Sequence, residues 1–368
     1  MSKKIIILFA LCFSLLNYSQ TAVKLHGTIL TKDNINDTIC FVPEAFLDKK
    51  YYSNETFKAK IINNEFNLNF RSYYPQMYVL NLNSEKNNGK FRIDCFFIDS
   101  STTKISFDSN YKLSVSNGKT NTEFLKKFLP YIFKNRKENL HFYKFDESLD
   151  VRLCNYIEEN PDSYVALWFL IGRFNKEGHT ELYEKCMKSF SQKMKAQPLW
   201  KILNEEFAEI SIKENYKFPE ILLKNIDLEP EALQVPESEY TLIDFWFSRC
   251  RPCLEELPKW IDLYEKYNSK GLNIISISTD KTENVKNYWQ KRVVEKKMPW
   301  KNYLDENAIF ATKEKIVSFP TNYLLNNKGE VIKKNVTPEE LEKLLIEAYK
   351  IKSYFDNYIT QPSVLIKN

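Results

Sequence analysis

Cys250-Arg251-Pro252-Cys253 stands between two patterns that define its surroundings. Ahead of it, Tyr240-Thr241-Leu242-Ile243-Asp244-Phe245-Trp246-Phe247 is a short apolar run of the buried-strand type. Behind it, Leu254, Leu257, Ile261 and Tyr264 recur at helical spacing. Two cysteines separated by two residues at a strand-to-helix junction can close a small disulfide ring and reopen it. The helix N-terminus offers unpaired N–H groups and a partial positive charge, which stabilise a thiolate on the first cysteine. Such thiols ionise at pKa values of roughly 3.5–7.5, against about 8.5 for a free cysteine. A thiolate at neutral pH attacks disulfides, so the motif points to redox chemistry.

Other uses of a cysteine pair fit less well. A structural zinc site needs four ligands, usually with a second Cys or His pair at similar spacing. No second CxxC exists, and the histidines His26, His141 and His179 stand singly. A c-type haem site needs His directly after the second cysteine, where this chain has Leu254. Two inert core thiols remain the alternative. Neither a metal nor an organic cofactor is expected.

A chain of 368 residues is long enough for two or three domains. Its formal net charge of +5 is spread among 53 basic and 48 acidic residues without a basic cluster, which argues against a nucleic-acid partner. Met1-Ser2-Lys3-Lys4, the apolar run Ile5 to Leu16 and polar Asn17-Tyr18-Ser19-Gln20 read as a signal peptide over 1–19. Retention of that segment as an uncleaved anchor is the alternative. The chain is therefore expected to be exported, to the periplasm or cell envelope. Cys40, Cys95, Cys154 and Cys186 lie far apart and are read as single buried thiols, although an oxidising compartment would let them pair.

Alternating β-branched and aromatic segments, such as Val23 to Leu30, Phe66 to Phe70, Met77 to Leu82 and Lys104 to Phe107, predict an all-β domain over 20–118. We read it as a small antiparallel sandwich or barrel. Helical spacing takes over across 119–228, where Asn160-Pro161-Asp162-Ser163 marks a helix start. Glu229-Pro230 to Val235-Pro236 reads as a linker. Strands and helices then alternate over 237–352, with a closing hairpin around Asn326-Asn327-Lys328-Gly329, and 353–368 is read as a tail.

This last part resembles the thioredoxin fold, and within it the exported TlpA/ResA-like thiol–disulfide oxidoreductases. The residues that carry the resemblance are Asp244 to Cys253, then Glu256-Leu257-Pro258, and Ser318-Phe319-Pro320-Thr321 before the hairpin. It implies that Cys250 is the attacking thiol and Cys253 the resolving thiol. It implies that Asp244 is a buried carboxylate that deprotonates Cys253, and that Glu256 is a second carboxylate near the thiols. A desolvated Asp has a raised pKa and so can take a proton near neutrality. Read without the resemblance, Asp244 is a strand-end polar residue and Glu256 a solvated helix charge. The resemblance also implies a cis Phe319–Pro320 bond, a kink at Pro258, and a substrate-binding surface of Trp246, Phe319, Pro320 and Thr321. Arg249 and Arg251 depart from the usual Trp and Gly. Two cations there would stabilise the Cys250 thiolate and tune its potential, or else point into solvent.

The expected function is disulfide exchange with protein thiols and disulfides as a reductase, which would need a membrane electron donor; the two arginines push toward an oxidant, so the direction of electron flow stays open. Two alternatives stay open: a peroxide-reducing enzyme on the same fold, and a non-enzymatic envelope binding protein. Composition and spacing leave the oligomeric state open.

Overall fold

In the N-terminal part of the chain the alternating segments become strands β1 (Thr21–Ile29), β2 (Thr38–Pro43), β3 (Phe57–Lys60), β4 (Glu65–Ser72), β5 (Gln76–Leu82), β6 (Cys95–Ile98), β7 (Thr103–Phe107) and β8 (Leu113–Ser116). This is a computed structural model, and it describes residues 21–29, 36–43, 49–52, 56–87, 95–99, 103–107, 113–116, 118–133 and 147–359. The expected signal segment 1–19 and residues 360–368 of the expected tail lie outside the described residues. The chain divides into two compact units, Met1–Asn135 and Arg136–Asn368.

The first unit holds two four-stranded sheets, ordered β4-β1-β7-β8 and β3-β2-β5-β6. Phe41 meets Phe66 at 6.0 Å and Phe57 meets Phe70 at 4.2 Å between ring centroids, so aromatic side chains join the two sheets. Gly27 pairs with Phe66 across the β1–β4 ladder, and a Cβ there would fall 1.9 Å from the Phe66 ring. The all-β reading holds with one correction: β1 and β7 are parallel, a pairing that alternation alone does not reveal. Helices α1 (Asn83–Asn87), α2 (Lys119–Glu123) and α3 (Leu129–Ile132) belong to this unit, the last two joined by a π-type turn at Phe124–Phe128. Buried Asn121 bonds both the N–H and the carbonyl of Phe97, which ties α2 to β6. The region read as one helical stretch is thus shared between the two units.

The second unit begins with α4 (Glu147–Glu159), α5 (Tyr164–Glu177), α6 (Glu181–Ser189), α7 (Gln192–Lys195) and α8 (Pro198–Glu209). Ser163, Thr180 and Ser191 accept the N–H of Ala166, Tyr183 and Met194, so each of α5, α6 and α7 starts on a hydroxyl cap. Arg173 grips Asp150 with two hydrogen bonds of 2.7 and 3.0 Å, binding α5 to α4. Cys154 and Cys186 form a disulfide between α4 and α6, which corrects the single-thiol reading of both. Their Cα atoms lie 5.0 Å apart, inside the range a disulfide spans, and no sequence spacing announces that approach. Cys40 is a free thiol.

A seven-stranded sheet follows, built from β9 (Leu222–Lys224), β10 (Pro230–Ala232), β11 (Tyr240–Trp246), β12 (Leu272–Ser278), β13 (Lys301–Leu304), β14 (Thr321–Asn326) and β15 (Val331–Lys334) in the order β10-β9-β13-β12-β11-β14-β15. β11, β12 and β13 run parallel, while β14 and β15 are antiparallel additions. Helices α9 (Arg251–Tyr267), α10 (Gln290–Glu295), α11 (Ile309–Lys313) and α12 (Pro338–Ile359) complete the unit. The linker reading of 229–236 is corrected, since Pro230–Ala232 is a strand paired with β9. The segment around Trp300 and Leu304 is also a strand, and α12 runs beyond the expected boundary at 352.

Side chains of β11 alternate between the two faces. Leu242 and Trp246 pack with Leu257, Trp260 and Leu263 of α9 and with Leu341 and Leu345 of α12. Ile243 and Phe245 face Ile212, Phe218, Ile221, Leu223 and Leu233 from the chain that leads into the sheet. That incoming chain also follows the outer edge of β15, where Asn215 N–H donates to Val331 O at 2.8 Å and Val331 N–H to Tyr216 O at 2.9 Å.

Candidate active site

Cys250 lies just past the carboxyl end of β11, an interior strand flanked by β12 and β14, and is the N-cap of α9. Its Sγ accepts the Cys253 N–H at 3.3 Å, and its carbonyl accepts the Leu254 N–H at 3.0 Å. Pro252 in the first turn loses nothing by lacking an N–H there. The sulfur therefore sits where a helix start favours negative charge. Cys250 and Cys253 are joined as a disulfide, both buried, at 2 % and 7 % exposure. Little of either cysteine is reached by solvent.

The turn before the thiols is held by a residue the sequence reading passed over. Asp280, buried after β12, accepts the Ser248 N–H at 2.8 Å and hydroxyl bonds from Ser248 and Ser278, each at 2.7 Å. Thr279 donates its N–H to Trp246 O at 2.8 Å. An acidic residue directly after a second buried strand was the available signal. Its partner is 32 residues away, so only the parallel register of β11 and β12 reveals the role.

Asp244 is on the same face of β11 as Leu242 and Trp246, beside Ser276 on β12 and Asn322 on β14. Loss of hydration pushes its carboxyl up to about 7, the Glu256 charge pushes the same way, and a hydrogen bond with Ser276 opposes both. Glu256, on α9, is half-buried and also raised by burial, against a hydrogen bond with Trp260. The structure thus brings Asp244 and Glu256 into one electrostatic neighbourhood under the start of α9. A carboxyl that titrates near neutrality can hand a proton to, or take one from, a thiol.

The arginines have other partners. Arg251 is 89 % exposed and pairs with Glu255 one turn on, at 2.8 Å. Arg249 is exposed and lies 5.2 Å over the Tyr288 ring. The bond Phe319–Pro320 is cis, as the resemblance implies. Phe319 stacks edge-on against Phe247 at 5.5 Å, which places the proline loop beside the turn that carries the thiols. Thr321 is buried and donates its hydroxyl to Ser318 O at 2.7 Å, so it braces the loop from within. Trp246, 2 % exposed, packs in the core with both cysteines and lies beneath the site. Pro258 interrupts the amide ladder inside α9. Among the described residues, no group of three or more His, Cys, Asp and Glu is placed to hold a metal ion. No helix of the described residues is long and apolar enough to cross a membrane.

Residues 238–331 match a family model described as thioredoxin-like. The chain is 30% identical over 125 residues to the thiol-disulfide oxidoreductase ResA of Bacillus thuringiensis, covering 32% of this chain and 70% of that protein. It is 28% identical over 124 residues to the sporulation thiol-disulfide oxidoreductase A of Bacillus subtilis, covering 33% of this chain and 74% of the relative. Among solved structures, the thioredoxin domain of a thiol-disulfide oxidoreductase from Bacteroides vulgatus is similar, at 26% identity and a TM-score of 0.33 over 37% of this chain and 98% of that one.

Proposed function

The chain belongs to the ResA family of thiol–disulfide oxidoreductases, and from that premise we propose that it reduces disulfides in protein substrates outside the cytoplasm through Cys250 and Cys253. The observation that carries this reading is the cysteine pair at the start of α9, with Sγ of Cys250 already accepting a helix N–H. In the reduced protein the Cys250 thiolate attacks one sulfur of a substrate disulfide and expels the other as a thiolate. Cys253, its proton passed to the Asp244 carboxylate, then attacks Sγ of Cys250 and releases the second substrate thiol. The substrate gains two electrons and the Cys250–Cys253 disulfide is the oxidised product. Phe319, Pro320 and the loop backbone offer the extended substrate its pairing surface, with Trp246 and Thr321 supporting it from below.

The segment Lys3-Lys4 followed by its apolar run supports export, with the mature chain beginning near Gln20. Thiols outside the cytoplasm are otherwise oxidised, so a membrane-borne thiol donor would have to return the pair to its reduced state. Asp244 and Glu256 suit a reductant, whereas two cations beside the thiolate would favour the reduced form and so an oxidant. Arg251 in solvent, paired with Glu255, weakens that second influence.

Trapping tests the assignment. Cys253→Ser keeps the attacking thiol but not the resolving one, so mixed disulfides with substrates should accumulate on non-reducing gels, while Cys250→Ser should trap none. Equal trapping by both variants would overturn the roles. Insulin reduction should outpace peroxide consumption by the wild type; the reverse ranking would favour the peroxide-reducing alternative.

A further inference from the structure

The helical layer α4 to α8 has no assigned chemistry, yet its buried polar contacts converge on one short stretch of the sheet domain. Glu314, 1 % exposed, follows α11 and accepts the N–H groups of Ser211 and Ile212, each at 2.9 Å, and the Ser211 hydroxyl at 2.5 Å. Lys315 extends its ammonium to Glu206 of α8 at 2.7 Å and to Asn175 of α5 at 3.0 Å. Glu206 is 3 % exposed and Lys315 17 %, so removing either partner would take this compensation from a charge held away from water. Lys334 on β15, the strand next to β14, donates to Glu177 O at the end of α5. A Cβ at neighbouring Gly178 would lie 3.0 Å from the Lys334 ammonium, so the helix end closes tightly over it.

The backbone at Lys315 singles out this contact. It has φ 57, the left-handed conformation at the end of α11, where Ile316 N–H returns to Ala311 O at 2.8 Å. Glycine is the residue that adopts such a helix end without strain. This chain places a lysine there, and the side chain reaches across to a buried glutamate. Four residues later comes Phe319, and then cis Pro320.

We infer that the helical layer is a positioning device for the proline loop: Glu206 and Asn175 through Lys315, and Ser211 with Ile212 through Glu314, set where residues 316–320 meet an extended substrate. The inference rests on the substrate role given above to that loop, and it gives the helical layer a part in substrate recognition. Lys315 and Glu206 are positioning residues, acting through the loop backbone and not on the sulfurs.

The test uses the full chain with Glu206→Gln, Lys315→Met and the double variant. Amide hydrogen exchange across 316–322 should rise about tenfold in each, with exchange in α9 unchanged. KM for insulin should rise about three- to tenfold with little change in kcat, and the rate with a small aromatic disulfide should stay at the wild-type value. The double variant should be no worse than either single one, because both break the same contact. Lys315→Gly suits the left-handed backbone and so spares folding, and it should show the same exchange and the same rise in KM. Unchanged exchange at 316–322 would overturn the inference, as would equal losses on insulin and the small disulfide. If the wild type itself fails to reduce insulin, the proposed function falls, while the exchange measurement still decides whether the layer holds the loop.

Discussion

Asp244 keeps its proton up to about pH 7 in the folded chain because burial and the Glu256 charge oppose ionisation. An unfolded aspartate ionises near 4. Between these values the folded state holds a proton that the unfolded state has lost, so stability falls as pH rises from about 4 through 7. At pH 8 the full penalty, on the order of 2–4 kcal/mol, is in force. Asp244→Asn should therefore be more stable than the wild type at pH 8 by that order and equal to it near pH 4, as read by chemical denaturation of the oxidised protein. The same variant should lose the rise in insulin reduction that accompanies ionisation near pH 7, since an amide takes no proton from Cys253. For the arginines, exposure sets an upper bound: each contributes about 1 kcal/mol or less to the thiolate. Replacing Arg249 and Arg251 with Ala should raise the Cys250 pKa by about 1.5 units at most, measured by pH-dependent alkylation, and the reduction potential should fall with it. The Cys250–Cys253 bond, the raised Asp244 carboxyl and the cis bond before Pro320 were legible in the sequence because each belongs to a short string whose neighbours define its setting. Asp280 was not, because its work is done on Ser248 across a parallel strand pair.

A helix that carries a reactive sulfur at its first turn needs that turn held from outside, and the carboxylate after β12 does so for α9. Asp280→Ala would leave the buried Ser248 N–H without its partner, at a cost of about 1–3 kcal/mol. Denaturation of the oxidised variant should show that loss, and a restored value in Asp280→Asn would trace it to the hydrogen bond. The long elements of the sheet domain, β11, β12, β14, α9 and α12, follow from apolar runs and helical spacing in the sequence. Shorter ones did not: β9, β10 and β13 are three or four residues long, too brief for a period to show, and they become strands by pairing with neighbours. The stretch 282–296 shows helical spacing, yet it folds as a 3-10 turn, a π-type turn and then α10.

Taken as a whole, the second unit extends well upstream of the part that the family model matches. Phe218, Ile221, Leu223 and Leu233 fill one face of the sheet, so a chain started at Glu237 would expose Ile243, Phe245 and Ile277 to water. That truncation should bind a hydrophobic dye and aggregate, whereas one started at residue 147 should stay monodisperse by light scattering. The disulfide between α4 and α6 closes a separation of 32 residues, worth about 3–4 kcal/mol. Removing it as Cys154→Ala/Cys186→Ala should lower stability by that order. Sequence spacing could not show this pair, because four scattered cysteines allow several pairings and only the helix packing selects one. There remains the incoming chain laid along β15 and, at the opposite margin of the sheet, a three-residue β10 that opens with Pro230. An open sheet margin presents a row of unpaired N–H and C=O groups that another strand can join. With one margin occupied at Val331 and the other cut short, the sheet offers a further strand little template for pairing.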